Sequence, residues 1–504
     1  MPPLPEHTTI FDLIAGADDH PALLAPGRPA LSYRQLRENV HALAAQLNGF
    51  GLAGGDRIAI AMGNGPDIIL TFFAAALCGT AAPLNPKYKQ DEFAFYYGDI
   101  HAKALVTLPD AMPLAHAAAT PNMAIVAATP QADGTLQFSC EQSLGTPRPV
   151  ELTQPDDVAM ILHTSGTTSR PKRVPLRHRN LVASAANIGA TYSLSPADTA
   201  LCVMPLFHIH GIVASMLATL ASGGTVVCPD GGFNALEFWR WVETYRPTWY
   251  SAVPTMHQLL LARADRNLEV IRAHPFRFIR SSSAPLPPVV LERLEATFNA
   301  PVLEAYGMTE ASHQMTSNPL PPKPHKAGTV GYGVGVEAAI MDAAGRLLAS
   351  GERGEVVIRG PNVIDGYENN PEANATAFVN GWFRTGDQGA IDQQGYLALT
   401  GRLKELINRG GEKISPLEID DVLLRHPAVA EALAFAVPHK TLGEDIHAAV
   451  VLKAPASESD LREHCAARLA EFKVPRVFHI LEEIPRGATG KPQRISMAKA
   501  LGLS

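Results

Sequence analysis

The sequence has few of the features that mark secreted, metal-binding or nucleic-acid-binding proteins. Among its 504 residues are only five cysteines, an odd number, and no two of them form a C-x-x-C pair. They are Cys78, Cys140, Cys202, Cys228 and Cys465. This pattern argues against a disulfide framework and against a zinc site. The net charge is -7 and no basic face is evident, so we do not expect a nucleic-acid partner.

Targeting signals and membrane spans are also missing from the sequence. The N-terminus has no basic segment followed by an apolar run, and the last three residues are not a peroxisomal signal, so we expect a cytoplasmic protein. Two long uncharged stretches, which begin at Ile68 and Gly211, are interrupted by glycine. We expect each to form a buried helix, a turn and a short strand rather than a transmembrane segment. No pattern indicates an oligomeric state.

The length and the hydrophobic pattern predict a multidomain α/β protein. A chain of 504 residues is too long for one core, so two or three domains are expected. Strand-like runs such as "DRIAIAM" alternate with helical patterns such as "PDIILTFFAAAL" through most of the chain. This alternation is typical of βαβ units, in which helices cover both faces of a largely parallel sheet.

The pattern changes twice in the last third of the chain. Near residue 330 it becomes short strands separated by Gly and Asp turns, which predicts a small antiparallel region, either a barrel or a curled sheet. After about residue 402 it reads helix, strand, strand, helix, strand, which predicts a small α+β domain. We therefore expect a large N-terminal domain of stacked, parallel-rich sheets over 1–401 and a small C-terminal domain over 402–504.

A polar loop, "TSGTTSRPK", spans residues 164–172 and is rich in groups that bind anions. Its spacing is not that of a Walker A loop. A glycine lets the backbone approach an anion closely, hydroxyl and amide groups donate hydrogen bonds, and a lysine adds a positive charge. These residues are Thr164, Ser165, Gly166, Thr167, Thr168 and Lys172. The loop predicts a phosphate site, although a Ser/Thr-rich surface loop would have a similar composition.

Four further segments follow this loop in the chain: "EAYGMTE", "WFRTGD", "GRLKELINRGGEKISPLEID" and "PRGATGKPQR". In this order and at these separations, the five segments resemble those of the acyl-adenylate-forming family. The family comprises acyl-CoA synthetases, adenylation domains of peptide synthetases, and luciferases, and the resemblance covers nearly the whole chain. It implies that a carboxylate attacks the α-phosphorus of ATP, and that a thiol, usually that of CoA, then takes the acyl group.

The resemblance also implies a role for individual residues. Lys491 would bridge the substrate carboxylate and the α-phosphate, where a fixed ammonium group offsets the developing charge. Thr309 would contact the α-phosphate, Glu310 would help to hold Mg²⁺, and the loop from Thr164 would hold the β- and γ-phosphates. The remaining nucleotide-binding positions implied are Ala284, Tyr306, Gly307, Asp387 and Arg402.

In this family the small C-terminal domain is mobile, because its lysine must leave before the thiol arrives. Lys404 matches the position of the hinge. Gly410 and Gly411 match a loop that lines the pantetheine tunnel of CoA, although a glycine pair is equally compatible with an ordinary hairpin turn.

The identity of the acid is less strongly encoded. The phosphate loop departs from the common family form at Ser169 and Arg173, and "HTSGTTSRPK", "MPLFHIHGIVAS" and "YGMTEASHQMTSNPLPP" together resemble the oxalate–CoA ligase branch. The resemblance places the acyl pocket around His208, Ser283 and His313, which suit a second carboxylate better than an aliphatic tail. His210 is a neighbouring candidate.

Other readings remain open at this stage. Each histidine could be a structural residue, and the acid could be a medium- or long-chain fatty acid, malonate or another small diacid. The chain could also be a stand-alone adenylation enzyme that loads a carrier protein, or a homologue that has lost its activity. Because Lys172, Glu310, Asp387, Arg402 and Lys491 are all present, an inactive homologue is not expected.

Overall fold

A computed structural model of the protein describes residues 8–142, 144–149, 153–164, 171–486 and 492–503. Over these residues the chain forms strands β1 to β26. In chain order they are Pro21–Leu24, Leu31–Ser32, Arg57–Ile60, Thr80–Pro83, Ala104–Thr107, Ala124–Pro130, Leu136–Cys140, Val158–Thr164, Lys172–Arg177, Thr199–Leu201, Thr225–Val227, Trp249–Ala252, Phe278–Ser282, Val302–Met308, His313–Ser317, Tyr332–Gly333, Glu337–Met341, Gly354–Arg359, Phe378–Val379, Trp382–Ile391, Leu397–Arg402, Ile407–Arg409, Glu412–Ile414, Val429–His439, Gly443–Leu452 and Val477–Leu481.

The described residues also form α-helices α1 to α14. In chain order they are Tyr33–Gly49, Pro66–Cys78, Gln90–Ile100, Pro113–Ala117, His178–Thr191, Ala218–Ala221, Phe238–Tyr245, Pro254–Leu261, Leu268–Ala273, Pro288–Phe298, Pro371–Ala377, Pro416–Leu424, Glu458–Ala466 and Met497–Ala500. Short 3-10 turns occur at Ile10–Leu13, Ala264–Arg266, Thr309–Ala311 and Glu471–Lys473. A π-helix over His210–Leu217 leads directly into α6.

Two large sheets form the framework of the N-terminal part. The first has nine strands in the order β16-β15-β14-β13-β12-β10-β11-β1-β2, and the second has seven in the order β7-β6-β5-β3-β4-β8-β9. Their central strands pair in parallel, and antiparallel strands occur only toward the edges. The prediction of an α/β fold with parallel-rich sheets is confirmed.

The two uncharged stretches of the sequence lie inside this framework. The first forms α2, whose residues are all buried, and then β4 after a turn at Gly79. The second forms the π-helix, α6 and then β11. Both stretches therefore have the predicted order of helix, turn and strand. Among the described residues, no helix combines the length and the apolar character needed to cross a membrane.

The small antiparallel region predicted near residue 330 is a five-stranded sheet. Its order is β17-β18-β20-β19, and β21 also pairs with β20. The pairing register shifts between β18 and β20 and again between β20 and β21. Shifts of this kind bend and twist a sheet, and here they lie next to Asp387 of β20.

The last sheet lies wholly beyond residue 402. The predicted helix, strand, strand, helix and strand are present as α12, β24, β25, α13 and β26, but the hairpin of β22 and β23 that precedes them was not predicted. The sheet has the order β23-β22-β25-β24, with β26 paired in parallel to β25. Helices α12 and α13 contribute to its apolar core, which includes Ile407, Ile419 and Leu461. The predicted boundary between the two domains, 1–401 and 402–504, falls at the end of β21. This division into domains stays a proposal.

A buried carboxyl group lies where α12 approaches the nine-stranded sheet. Glu304 of β14 is 5% exposed and accepts a hydrogen bond from the backbone N–H of Leu286 at 2.9 Å. Burial raises the pKa of Glu304 to about 8, and the negative charge of Asp421 on α12 acts in the same direction. Burial likewise raises the pKa of Asp421 to about 6. Deprotonation of Glu304 or Asp421 therefore weakens the packing of α12 near β14.

We expect Glu304→Gln to stabilise the protein at alkaline pH. The folded-state pKa of Glu304 lies above its unfolded value, so its contribution is fully present below about pH 4.5 and is lost as the pH rises toward 8. Glutamine keeps the acceptor for Leu286 but never ionises. The melting temperatures of variant and wild type should agree near pH 4.5 and diverge by the equivalent of about 2 to 4 kcal/mol near pH 8.5.

Glu292→Gln, an exposed change on α10, provides the control and should give no difference that depends on pH. A Glu304→Gln variant whose advantage is the same at pH 5 and pH 8.5 would show that the carboxyl of Glu304 does not titrate in this range.

Candidate active site

The polar loop begins and ends on adjacent antiparallel strands. Thr164 is the last residue of β8, Lys172 is the first residue of β9, and the two are paired across the strands. The loop residues Ser165, Gly166, Thr167 and Thr168 lie outside the described residues. The structure thus fixes both ends of the predicted phosphate loop at one edge of the seven-stranded sheet.

Lys172 belongs to a cluster that contains Glu310 and Tyr367. The Lys172 Nζ lies 4.4 Å from the centroid of the Tyr367 ring, and the Tyr367 hydroxyl donates to Glu310 Oε1 at 2.8 Å. Burial raises the pKa of Glu310, while the hydrogen bond from Tyr367 and the charges of Lys172 and Arg402 act in the opposite direction. A cation and a buried carboxylate thus lie together beside the end of the polar loop. This is the kind of arrangement expected where phosphate and a hard metal ion meet.

A second cluster joins Tyr306, Asp387 and Arg402. The Tyr306 hydroxyl donates to Asp387 Oδ2 in a short hydrogen bond, and the Arg402 Nε lies 3.1 Å from Asp387 Oδ1. Asp387 and Arg402 face each other on β20 and β21. Burial raises the pKa of Tyr306, and the charge of Asp387 raises it further. Tyr306 and Arg402, both predicted to bind the nucleotide, are therefore linked through Asp387.

Gly307 lies between the two clusters in the chain, and its surroundings leave no room for a side chain. A Cβ atom at this position would lie 2.0 Å from the carbonyl oxygen of His313, so no larger residue fits without a shift of the backbone. The pairing of β14 and β15 shifts register between Tyr306 and Gly307. Thr309 and Glu310 follow in the 3-10 turn that joins the two strands. Ala284 lies two residues beyond the end of the neighbouring strand β13.

Arg173, where the chain departs from the common family form, has a local structural role. Its Nη1 donates to the backbone oxygen of Asp99 at 2.7 Å and lies 3.5 Å from Glu368 Oε2. The backbone N–H of Glu368 in turn donates to the carbonyl of Arg173 at 3.1 Å. Arg173 thus ties the start of β9 to the segment that carries Tyr367.

Two of the residues predicted for the acyl pocket, Ser283 and His313, lie beside His210. Its Nδ1 lies 3.0 Å from Ser283 Oγ, its Nε2 lies 2.6 Å from Ser251 Oγ, and its ring stacks on that of His313 with centroids 4.8 Å apart. His210 and His313 are fully buried, whereas Ser283 keeps some exposure. His210, which begins the π-helix, therefore lies with Ser283 and His313. His208 lies two residues earlier and is partly exposed, and its Nδ1 accepts a hydrogen bond from the backbone N–H of His210, with the two nitrogens 3.2 Å apart.

Two residues of this group have unusual backbone conformations. Ser283 has φ +72° and His313 has φ +95°, both in the left-handed region that favours glycine. Such conformations cost about 1 to 3 kcal/mol each and persist where the surrounding structure requires them. Ser283 directly follows β13 and His313 begins β15, and both side chains contact His210.

Arg280 lies next to His210 and Ser251, and the sequence did not predict that it belongs to this group. It is completely buried on β13, and its guanidinium donates to Ser251 Oγ at 3.0 Å, to the Tyr192 hydroxyl at 2.9 Å and to Gln314 Oε1 at 3.2 Å. Its Nη1 also lies 3.4 Å from His210 Nε2. Ser251, Tyr192 and Gln314 are uncharged side chains, and no carboxylate of the described residues forms an ion pair with Arg280. An unpaired buried cation of this kind is costly, and an anion nearby would offset the cost.

The residues predicted to serve the thiol step are only partly described. Gly410 and Gly411, with φ +61° and +94°, form the two-residue turn of the hairpin between β22 and β23. Two positive φ angles are what such a hairpin turn requires, so the turn alone accounts for the glycine pair. Lys404 is exposed in the connection after β21. Lys491 lies outside the described residues.

Three contributors to the site escaped the sequence prediction: Tyr367, Ser251 and Arg280. Tyr367 offers no motif, because its partner Glu310 lies 57 residues away in the chain. Arg280 had a usable signal: it is a lone charge inside "FIRSSSA", a segment otherwise patterned as a buried strand.

Comparison with known proteins identifies the family to which the chain belongs. The family model of the AMP-binding enzymes matches residues 12–368, and the model of their C-terminal domain matches residues 418–491. The oxalate–CoA ligase of Arabidopsis thaliana is 45% identical over 492 residues, which cover 95% of this chain and 95% of that protein. The oxalate–CoA ligase of Saccharomyces cerevisiae is 43% identical over 485 residues, which cover 89% of this chain and 87% of that protein.

A solved structure gives the same result for the fold. The o-succinylbenzoate coenzyme A synthetase of Bacillus subtilis, in complex with ATP and magnesium ion, superposes with a TM-score of 0.81. It is 30% identical, and the match covers 96% of this chain and 98% of that one. The fold, the order of the motifs and the family models agree, and the chain belongs to the family of AMP-binding enzymes.

Proposed function

We propose that this protein is an oxalate–CoA ligase. In the first step a carboxylate oxygen of oxalate bonds to the α-phosphorus of ATP, and pyrophosphate leaves. In the second step the thiol sulfur of CoA bonds to the acyl carbon, and AMP leaves. Membership of the AMP-binding family and similarity to two oxalate–CoA ligases over most of the chain support this ATP-dependent acid–CoA ligase chemistry.

The observation that carries the choice of oxalate is the buried guanidinium of Arg280. It is fully buried next to Ser251 and His210, which lead to the partly exposed Ser283. Oxalate would bring a second carboxylate to this place, and that charge would compensate the guanidinium. A fatty acyl tail would leave both the cation and the polar groups unpaired, at a cost of roughly several kcal/mol.

On the nucleotide side we propose the roles that the resemblance implies. Lys172 and the loop from Thr164 would hold the β- and γ-phosphates, and Thr309 would contact the α-phosphate. Asp387 would accept hydrogen bonds from the ribose hydroxyls, since a carboxylate is purely an acceptor. The contacts of Asp387 with Tyr306 and Arg402 support this, because they fix its position beside the proposed adenine site.

The residues present also fit a magnesium ion. Glu310 supplies a buried oxygen ligand that is oriented by Tyr367 and lies near Lys172, where the phosphates would lie. The described residues hold no cluster of three or more metal-ligating side chains. Glu310 would therefore hold Mg²⁺ together with phosphate oxygens and water, as this ion prefers. When bound, the ion would offset the negative charge of the phosphates.

The experiment that tests the proposal compares acids side by side. Purified protein with ATP, Mg²⁺ and CoA is offered oxalate, malonate, octanoate or palmitate, and the formation of AMP is measured. We expect kcat/KM for oxalate to exceed that for each other acid by at least about 10²-fold, since each alternative leaves buried polar groups unpaired or overfills the pocket.

Other outcomes of this experiment have separate meanings. A preference for octanoate or palmitate would contradict the polar acyl pocket and leave the adenylate chemistry in place. Pyrophosphate release that CoA does not accelerate would indicate a carrier-protein acceptor, and no pyrophosphate release with any acid would indicate an inactive homologue.

A further inference from the structure

The buried Arg280 is linked to the acyl pocket by a continuous series of polar atoms. The Arg280 Nη1 donates to Ser251 Oγ at 3.0 Å, and Ser251 Oγ lies 2.6 Å from His210 Nε2. On the other side of the imidazole, Nδ1 lies 3.0 Å from Ser283 Oγ. Arg280, Ser251 and His210 are fully buried and Ser283 is not, so the series runs from the protein interior to the pocket.

The backbone holds the inner end of this series rigidly. Ser251 of β12 and Arg280 of β13 are direct partners in the parallel pairing of the two strands. The Arg280 guanidinium is held from its other side by Tyr192 and Gln314. The strand pairing and these two hydrogen bonds together set the position of the guanidinium relative to His210.

A guanidinium can only donate hydrogen bonds, and this fixes the direction of the series. The Arg280 Nη1 lies 3.4 Å from His210 Nε2. A proton on Nε2 would place two donors against each other in a buried site, and a fully protonated ring would add a second positive charge. With Nε2 unprotonated, it can accept from Ser251, whose oxygen already accepts from Arg280.

We infer that Arg280 is a positioning residue that holds His210 in the neutral form with the proton on Nδ1. That proton is donated to Ser283 Oγ, so the Ser283 hydroxyl hydrogen remains available to donate into the pocket. The donors then run in one direction, from Arg280 through Ser251 to His210 and from His210 to Ser283.

This inference rests on the proposed function and explains its selectivity. A carboxylate only accepts hydrogen bonds, so it matches a site whose outermost group is held as a donor. An aliphatic chain would leave the Ser283 donor buried and unpaired. The left-handed backbone at Ser283 (φ +72°) further restricts where its hydroxyl can point.

The test is nitrogen NMR of the full-length protein labelled with ¹⁵N at histidine, without substrates. The protonated and unprotonated nitrogens of a neutral imidazole resonate far apart, so the tautomer is read directly. The chain has 18 histidines, and the His210 signals are those missing from a His210→Gln variant. We expect the wild type to carry the proton on Nδ1. A proton on Nε2, or on both nitrogens, would overturn the inference.

Two variants extend the test. Arg280→Met should remove the preference of His210 for the Nδ1 tautomer, so that His210 becomes a mixture of tautomers or carries the proton on Nε2. Ser281→Ala, the neighbouring buried serine on the same strand, should leave the spectrum of His210 unchanged. A wild-type tautomer that persists in Arg280→Met would show that the guanidinium does not set it. If Arg280→Met does not fold, the wild-type spectrum still decides whether the proton of His210 is on Nδ1.

None of these spectra involves oxalate, so they separate the two proposals. The Nδ1 tautomer in a protein that prefers a fatty acid would leave the inference standing and contradict the proposed substrate. The Nε2 tautomer in a protein that prefers oxalate would contradict the inference and leave the proposed substrate standing.

Discussion

Replacing Lys491 by alanine is expected to reduce adenylate formation by about 10²- to 10³-fold, because a fixed charge at a developing oxyanion is worth this much. In the proposed reaction two anions, the substrate carboxylate and the α-phosphate, must approach each other. The ammonium of Lys491 would offset their repulsion. The second step needs no such charge at this position, since a thiolate attacks an acyl carbon that is already activated.

The two half-reactions are measured separately. The exchange of labelled pyrophosphate into ATP, with oxalate present, reports the first step. Formation of oxalyl-CoA from supplied oxalyl-adenylate reports the second step. In Lys491→Ala the first rate should fall and the second should remain close to that of the wild type.

Lys499→Ala provides a matched control, since Lys499 is an exposed lysine on the short helix α14 of the same domain. It should leave both half-reactions unchanged. Equal losses in both half-reactions of Lys491→Ala would count against the proposed role and indicate a general effect on the C-terminal domain.

Much of this site could be predicted because its residues lie in short, local segments. The polar loop from Thr164 to Lys172 is one connection between two paired strands, and Asp387 and Arg402 lie on neighbouring strands. The order of helices and strands after residue 402 was likewise readable, because each element has its own hydrophobic period. Where the position of a residue depends mainly on its own segment, the sequence was sufficient to predict that position.

The acyl pocket could not be predicted in the same way, because its walls come from distant segments. His208 and His210 could not be distinguished by spacing, and the π-helix that begins at His210 shifts the usual helical register. Arg280 gains its significance only from its pairing with Ser251 on β12 and from its contact with His210. Such neighbours become apparent only once the strand order is known.

The buried guanidinium leads to the second large effect. Arg280→Met is expected to lower kcat/KM for oxalate by about 10²-fold. A unit charge on the order of 10 Å away at an effective dielectric constant of about 20 contributes about 1.5 to 2 kcal/mol to the binding of an anion. Without Arg280 the Ser283 hydroxyl is no longer held as a donor to oxalate, and loss of this hydrogen bond weakens binding by about 1 kcal/mol more, the usual net contribution of one hydrogen bond. Steady-state AMP formation over a range of oxalate concentrations measures the change.

Arg272→Met, an exposed change on α9, removes the same charge at a distant place and should leave kcat/KM unchanged. The stabilisation of Arg280→Met by ATP, measured as a rise in melting temperature, should equal that of the wild type if the nucleotide site is intact.

The melting temperature itself separates a functional role of Arg280 from a structural one. Without Arg280, its partners keep other contacts: the Tyr192 hydroxyl lies 2.7 Å from Ser317 Oγ, the Gln314 side chain donates to Thr191 at 3.0 Å, and Ser251 still faces His210. Replacing a buried charge by an apolar side chain of similar volume is often neutral or stabilising. Arg280→Met should therefore lose its use of oxalate while its melting temperature stays the same or rises. If Arg280 is retained for the substrate, its buried charge lowers the stability of the protein, and removing it should not lower the melting temperature. A variant that melts at a markedly lower temperature and still prefers oxalate would therefore show that Arg280 serves the fold.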